Sequence, residues 1–188
     1  IGLEYEKINP KDKKIIGFNI ANSISDKRNE NLPTKSTLNN TRSDFVGKLF
    51  FSPNDILNFN YDFSYDKNFD GSNYDSISTS INVNNFITEF NFLSEDGNIG
   101  NNEIISNSTT YKLNSENSFQ FNTSKDLKND FTEYYNLIYT YKTDCLIASA
   151  EFGKKFYRDG SLVPDKSLLF TIKFIPFVEL KPTAASLN

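Results

Sequence analysis

Segments with strand-like composition follow one another along this chain, joined alternately by a short and then a longer connection. Within the segments apolar and polar residues alternate with period two. The clearest run is Leu57, Phe59, Tyr61, Phe63 and Tyr65, interleaved with Asn58, Asn60, Asp62, Ser64 and Asp66. Successive strand side chains point to opposite faces, so such a segment has one apolar and one polar face. About eleven strands are expected at the spacing of outer-membrane hairpins. They fall near residues 1–8, 14–25, 43–52, 55–67, 74–83, 86–94, 103–114, 118–125, 132–142, 145–157 and 167–177. The tight connections, 52–55, 83–86, 114–118 and 142–145, are rich in Asn, Asp, Ser and Pro, as turns require. The longer ones are 26–42, 67–73, 95–102, 125–131 and 158–166, and 9–13 counts as a slightly larger short turn. A barrel inserted from the periplasm keeps short turns on that side and sends larger loops outside. The expectation is therefore an all-β antiparallel transmembrane barrel, with the C-terminus periplasmic. On this topology the first strand runs downward from outside. Further strands are then expected upstream, making residues 1–177 the C-terminal strands of a larger barrel and 178–188 a periplasmic tail.

Composition agrees with a fold that hides only one face of each strand. Hydrophobic residues make up 37% of the chain and mean hydropathy is -0.52, yet there are 18 Phe and 10 Tyr. Disordered chains are poor in aromatics, which removes that alternative. The net charge of -4 and the scattered Lys and Arg give no basis for nucleic-acid binding. No apolar run is long enough for a membrane-crossing helix, but barrel strands of about ten residues escape that test.

The residues also suggest which face meets lipid. In the last strand Leu168, Phe170, Ile172 and Phe174 form an apolar row opposite Thr171 and Lys173. A lysine facing mid-bilayer lipid costs about 2–4 kcal/mol, so the Lys173 row is expected to face the lumen. The same rule turns Phe59, Tyr61 and Phe63 outward and Asn60 and Asp62 inward. Phe51, Tyr65, Phe92, Tyr141 and Phe156, near strand ends, suit interfacial girdles, and equally suit the role of ordinary β-formers.

Catalysis is not expected. There is no His, a single Cys, and no GxSxG, HExxH or phosphate-loop pattern. The acidic pairs Glu95/Asp96 and Asp66/Asp70 fall in loops, where solvated surface is the better reading. The loop from Asp66 to Asn73 lacks the twelve-residue ligand pattern of a calcium site. No cofactor is implied. Lys11, Lys13 and Lys14 sit at an expected periplasmic turn, where solvation is favoured over contact with acidic headgroups. Cys145 admits two readings: a buried, inert thiol, or a thiol paired elsewhere in the polypeptide in an oxidising compartment.

The run from Tyr134 to Leu146 (YYNLIYTYKTDCL), then Phe156-Tyr157-Arg158-Asp159, Pro164 and Leu169-Phe170-Thr171-Ile172, resembles the C-terminal end of the LptD family. These are outer-membrane lipopolysaccharide-assembly barrels. Upstream, Asp44 to Asp55 and Thr88 to Leu93 look like the family's mid-barrel strands. The resemblance implies transport of lipopolysaccharide into the outer leaflet, delivered by a periplasmic Lpt bridge to an upstream jellyroll. It further implies a lateral gate, one edge of which is the last strand with Leu168, Phe170, Ile172, Phe174, Pro176 and Phe177. Cys145 matches the barrel cysteine that family members bond to the upstream domain. Many relatives carry two adjacent cysteines there; Leu146 stands in the second place, leaving one possible link. An LptE-like lipoprotein plug, outer-membrane lipid and the barrel-assembly machinery are the other implied partners. Pairing is expected to stop at Pro176, which has no N–H to donate. The competing reading is a self-contained outer-membrane porin or adhesin.

Overall fold

The period-two segments become strands in the computed structural model, which describes residues 1–32, 34–157, 163–175, 178–180 and 185–186. Eleven strands follow in chain order: β1 (Gly2–Ile8), β2 (Lys14–Ala21), β3 (Phe45–Phe51), β4 (Leu57–Tyr65), β5 (Ser72–Val83), β6 (Phe86–Glu95), β7 (Asn102–Lys112), β8 (Asn117–Asp126), β9 (Phe131–Lys142), β10 (Leu146–Lys155) and β11 (Asp165–Phe174). Two shorter ones, β12 (Val178–Leu180) and β13 (Ala185–Ser186), both pair with β11. The only helical element among the described residues is a single 3-10 turn at Thr34–Ser36. The fold is all-β and antiparallel, and from β1 to β12 each strand neighbours the next in sequence. Among the described residues β1 has one partner strand, β2, whereas in a closed barrel it would have two. The barrel expectation is therefore met as far as a meander of eleven antiparallel strands.

Internal contacts divide the chain into two units. One is Ile1–Ser80 with Phe90–Ile104, the other Ile81–Glu89 with Ile105–Asn188. The first holds the β1–β4 ladders. Their register aligns Tyr5 with Phe18, Phe18 with Leu49, and Leu49 with Tyr61. The second holds β8–β11, with Phe119 opposite Tyr139, Tyr139 opposite Ala150, and Ala150 opposite Phe170. Directly opposite residues share a face, so each register turns the period-two pattern of single strands into a continuous surface.

The connections follow local turn chemistry. Asn9 Oδ1 accepts the backbone N–H groups of Lys11 and Lys13, and Asn114 Oδ1 accepts those of Glu116 and Asn117. Asn84 takes a φ of 53° in the two-residue turn between β5 and β6, a conformation asparagine tolerates. The sorting of loop lengths holds less strictly than the sequence suggests. The connection at 127–130 is no longer than that at 113–116. Asp126 is the cause: its carboxylate accepts the Asn129 backbone N–H at 3.0 Å and the Asn129 side-chain amide at 3.0 Å, so β8 and β9 zip one step further.

The connection 22–44 is built rather than trailing. Ile24 bridges to Arg42, Ser25 N–H donates to Thr41 O at 2.8 Å, and Thr37 Oγ1 accepts Asp44 N–H at 2.8 Å. Asn39 and Asp44 are buried within it. β2 consequently ends at Ala21, four residues before the end its composition predicts. The expected end of pairing at Pro176, and Phe177 beside it, lie outside the described residues. Beyond them, the segment expected as a tail contributes β12, opposite Ile172–Phe174, and β13, opposite Ser167 and Leu168.

Candidate functional site

The two faces of the strands are chemically unlike. In the first unit one face carries Tyr5, Phe18, Leu49, Tyr61 and Phe63, with Tyr61 and Phe63 in ring contact at 5.4 Å and Phe63 and Tyr65 at 6.0 Å. The other carries Glu4, Asn19, Lys48, Asp62 and Asn60. Here Lys48 faces Asp62 at 3.4 Å and Lys14 pairs with Glu6 around a hollow of about 180 Å³ over Gly17. Gly47 belongs to the apolar face, where the ring of Phe63 lies over it. A Cβ at that position would stand 2.3 Å from Phe63 Cζ and 2.6 Å from the Asn19 carbonyl oxygen.

In the second unit the apolar face runs over Phe119, Phe121, Leu137, Tyr139 and Phe152 to the row Leu168, Phe170, Ile172 and Phe174. Phe119 and Tyr139 are in ring contact at 5.2 Å. Ala148 and Ala150 leave a shallow apolar hollow of about 210 Å³ between Tyr139 and Tyr141 on one side and Phe170 and Ile172 on the other. The opposite face carries a hydrogen-bonded ladder of side chains. Gln120 Nε2 donates to Ser108 Oγ at 3.1 Å and to Asn122 Oδ1 at 3.0 Å. Asn122 Nδ2 donates to Asn136 Oδ1 at 2.9 Å, and Asn136 Nδ2 to Glu151 Oε1 at 2.7 Å. The ladder thus crosses four strands, β7 to β10.

Burial is inverted relative to a water-soluble fold. Among the described residues no hydrophobic side chain is buried, while Asn39, Ser43, Asp44, Thr88, Ser124 and Asp126 are. Phe170 is 54% exposed, Phe174 47% and Leu137 47%. Every buried side-chain polar atom among these residues has a hydrogen-bond partner. Thr88, on β6, is satisfied by Thr109 Oγ1 at 2.8 Å and the Asn107 amide at 3.0 Å.

The residues singled out from sequence are distributed as follows. Leu168, Phe170, Ile172 and Phe174 share one face of β11, with Thr171 and Lys173 on the other, as their alternation predicts. Pro176 and Phe177 lie outside the described residues. Cys145 stands in the turn between β9 and β10 with its thiol exposed, so the buried-thiol reading does not hold. Its backbone carbonyl accepts Ile175 N–H at 2.8 Å, which ties the turn to the end of β11. The acidic pairs serve loop geometry. Asp66 Oδ1 accepts Asn68 N–H at 2.7 Å, Glu95 accepts the Asn102 amide at 2.6 Å, and Asp96 Oδ1 accepts Gly97 N–H at 2.8 Å. Among the described residues no group of three or more His, Cys, Asp or Glu side chains is placed to hold a metal ion. In the basic turn, Lys13 binds Asp55 and Lys14 binds Glu6, and the Lys13 ammonium holds the Asp55 carboxyl below the usual carboxylate range.

One feature was not legible in the sequence. The connection 22–44 leans over the polar face, where Lys35 and Leu38 meet Val46, Asp62 and Ser64 around a hollow of about 540 Å³. A smaller polar hollow of about 280 Å³ adjoins it, sharing Lys35 and Ile99 and lined by Asp44, Asp66 and Asn73. The Asn73 amide donates to Asp44 Oδ2 at 2.9 Å across its wall. Such an arrangement depends on contacts between three loops, which composition does not encode.

No protein-family model matches the chain, and no curated protein matches it either.

Proposed function

We propose that this chain forms part of the wall of an outer-membrane β-barrel of the LptD kind, which passes lipopolysaccharide into the outer leaflet. The observation that carries the reading is the inverted burial: apolar side chains exposed on one continuous face of each unit, polar side chains gathered and mutually bonded on the other. In water such a face is costly, because exposed apolar area is what the hydrophobic effect removes. Against lipid tails the cost vanishes, and the polar face lines a hydrated interior.

On this reading the protein performs no chemistry. Acyl chains leave through a seam edged by β11, with Leu168, Phe170, Ile172 and Phe174 toward lipid, while sugars stay on the polar face. The energy comes from the periplasmic bridge that delivers the lipid. Cys145, exposed at a turn on the short-connection side, is available to bond an upstream domain. An LptE-like plug and the barrel-assembly machinery complete the set of partners.

The test is made on the full-length protein from outer membranes, wild type beside Cys145→Ser, on non-reducing gels, together with surface lipopolysaccharide. A mobility change abolished by the substitution, with surface lipopolysaccharide lowered, supports the transport reading. Membrane localisation with identical mobility and unchanged lipopolysaccharide transfers the assignment to a porin or adhesin. Absence from the membrane fraction overturns both.

A further inference from the structure

The β10–β11 ladder carries two adjacent pairs of charged residues at the end nearest the connection 156–164, and they are arranged oppositely. On the polar face Lys155 stands opposite Asp165, a residue of opposite charge, and its ammonium lies 5.9 Å from the centroid of the Tyr157 ring. One step along, on the apolar face, Lys154 stands opposite Lys166. Like charges directly opposite one another destabilise a sheet. The one carboxylate of β9, Glu133, accepts the Ser124 hydroxyl at 2.7 Å. The Lys154 ammonium instead lies over the Phe156 ring, 4.6 Å from its centroid, and that ring contacts Tyr135 at 5.8 Å. Tyr135 is the register partner of Lys154, so the aromatic pair and both lysines lie together at the rim of the apolar face.

This is the composition of a membrane interface, where aromatic rings sit at headgroup depth and lysines reach past them toward phosphate. We infer that Lys154 and Lys166 form a two-pronged site for the net-anionic phosphate of a lipid headgroup, seated on Tyr135 and Phe156 at the rim. The inference rests on the reading that the apolar face meets lipid. The phosphate supplies a negative charge opposite two lysines, where the neighbouring register pair already sets a carboxylate opposite a lysine.

The full-length protein in lipid nanodiscs provides the test, with melting temperature as the readout. Discs of phosphatidylcholine are compared with discs containing phosphatidylglycerol. Wild type is expected to melt about 2–4 °C higher with the anionic lipid, the shift that one modest contact gives a domain of this size. Lys154→Gln with Lys166→Gln abolishes the shift, the double arginine variant keeps it, and Lys155→Gln keeps it. Equal wild-type melting in both lipids overturns the site while leaving the barrel reading intact, as does a shift that survives the double glutamine variant. The same rise from inorganic phosphate in phosphatidylcholine discs overturns the lipid-borne source. Failure to enter discs at all overturns the site together with the barrel reading.

Discussion

At the scale of the residue, Gly47 shows how closely the apolar face is packed although none of it is buried. Its missing side chain is the space in which the Phe63 ring lies, and the Asn19 carbonyl closes the site from the neighbouring strand. Gly47→Ala therefore displaces both a ring and a backbone. Overpacking of this kind costs about 1–3 kcal/mol, and the ladder between β2 and β3 takes part of that strain. Urea unfolding in detergent is the measurement. A variant as stable as wild type would mean that Phe63 swings away at no cost and that the ring does not brace the strand pair. Gly47 could not have been singled out from the sequence, where it is one of eight glycines. Its role comes from being opposite Phe63, and opposition is a property of register.

At the scale of the element, existence and facing of the strands were legible while partnership was not. Period two placed Leu168, Phe170, Ile172 and Phe174 on one face of β11 and Lys173 on the other, because that alternation is local. That Asn122 meets Asn136 and Asn136 meets Glu151 is not local, since it depends on which turn residues set each hairpin's register. The same limit concealed the extra pairing of β8 with β9, which follows from the Asp126 carboxylate reaching Asn129. It also hid the pairing of β12 and β13 with β11, which the gate reading requires to give way whenever the seam opens. The side-chain ladder predicts a cooperative element. Asn136→Leu removes the donor to Glu151 and the acceptor of Asn122 together, and the loss is about 1–3 kcal/mol for two bonds. Heat-induced mobility shift on gels, compared with Thr140→Ala on the same face of β9, measures it. Equal midpoints for the two variants would show that the ladder adds nothing beyond its separate residues.

At the scale of the whole molecule, the distribution of apolar and polar surface governs behaviour more than any single contact. A soluble domain has a buried apolar core, and a low hydrophobic fraction joined to abundant Phe and Tyr points to a fold that hides only one face of each strand. What composition left open was the sign of the arrangement, which the burial of Asp44, Thr88 and Asp126 beside exposed Phe170 and Leu137 supplies. A thermodynamic consequence follows from having no buried hydrophobic side chain among the described residues. The heat capacity of unfolding reflects apolar area newly wetted, about 12–15 cal/mol/K per residue for soluble domains. If the apolar face meets lipid, as proposed, these side chains lie among detergent tails in a micelle before and after unfolding, so little new area meets water. Calorimetry should return roughly half the soluble value or less. The stability curve is then nearly straight, and a protein built this way loses its fold on heating but keeps it on cooling.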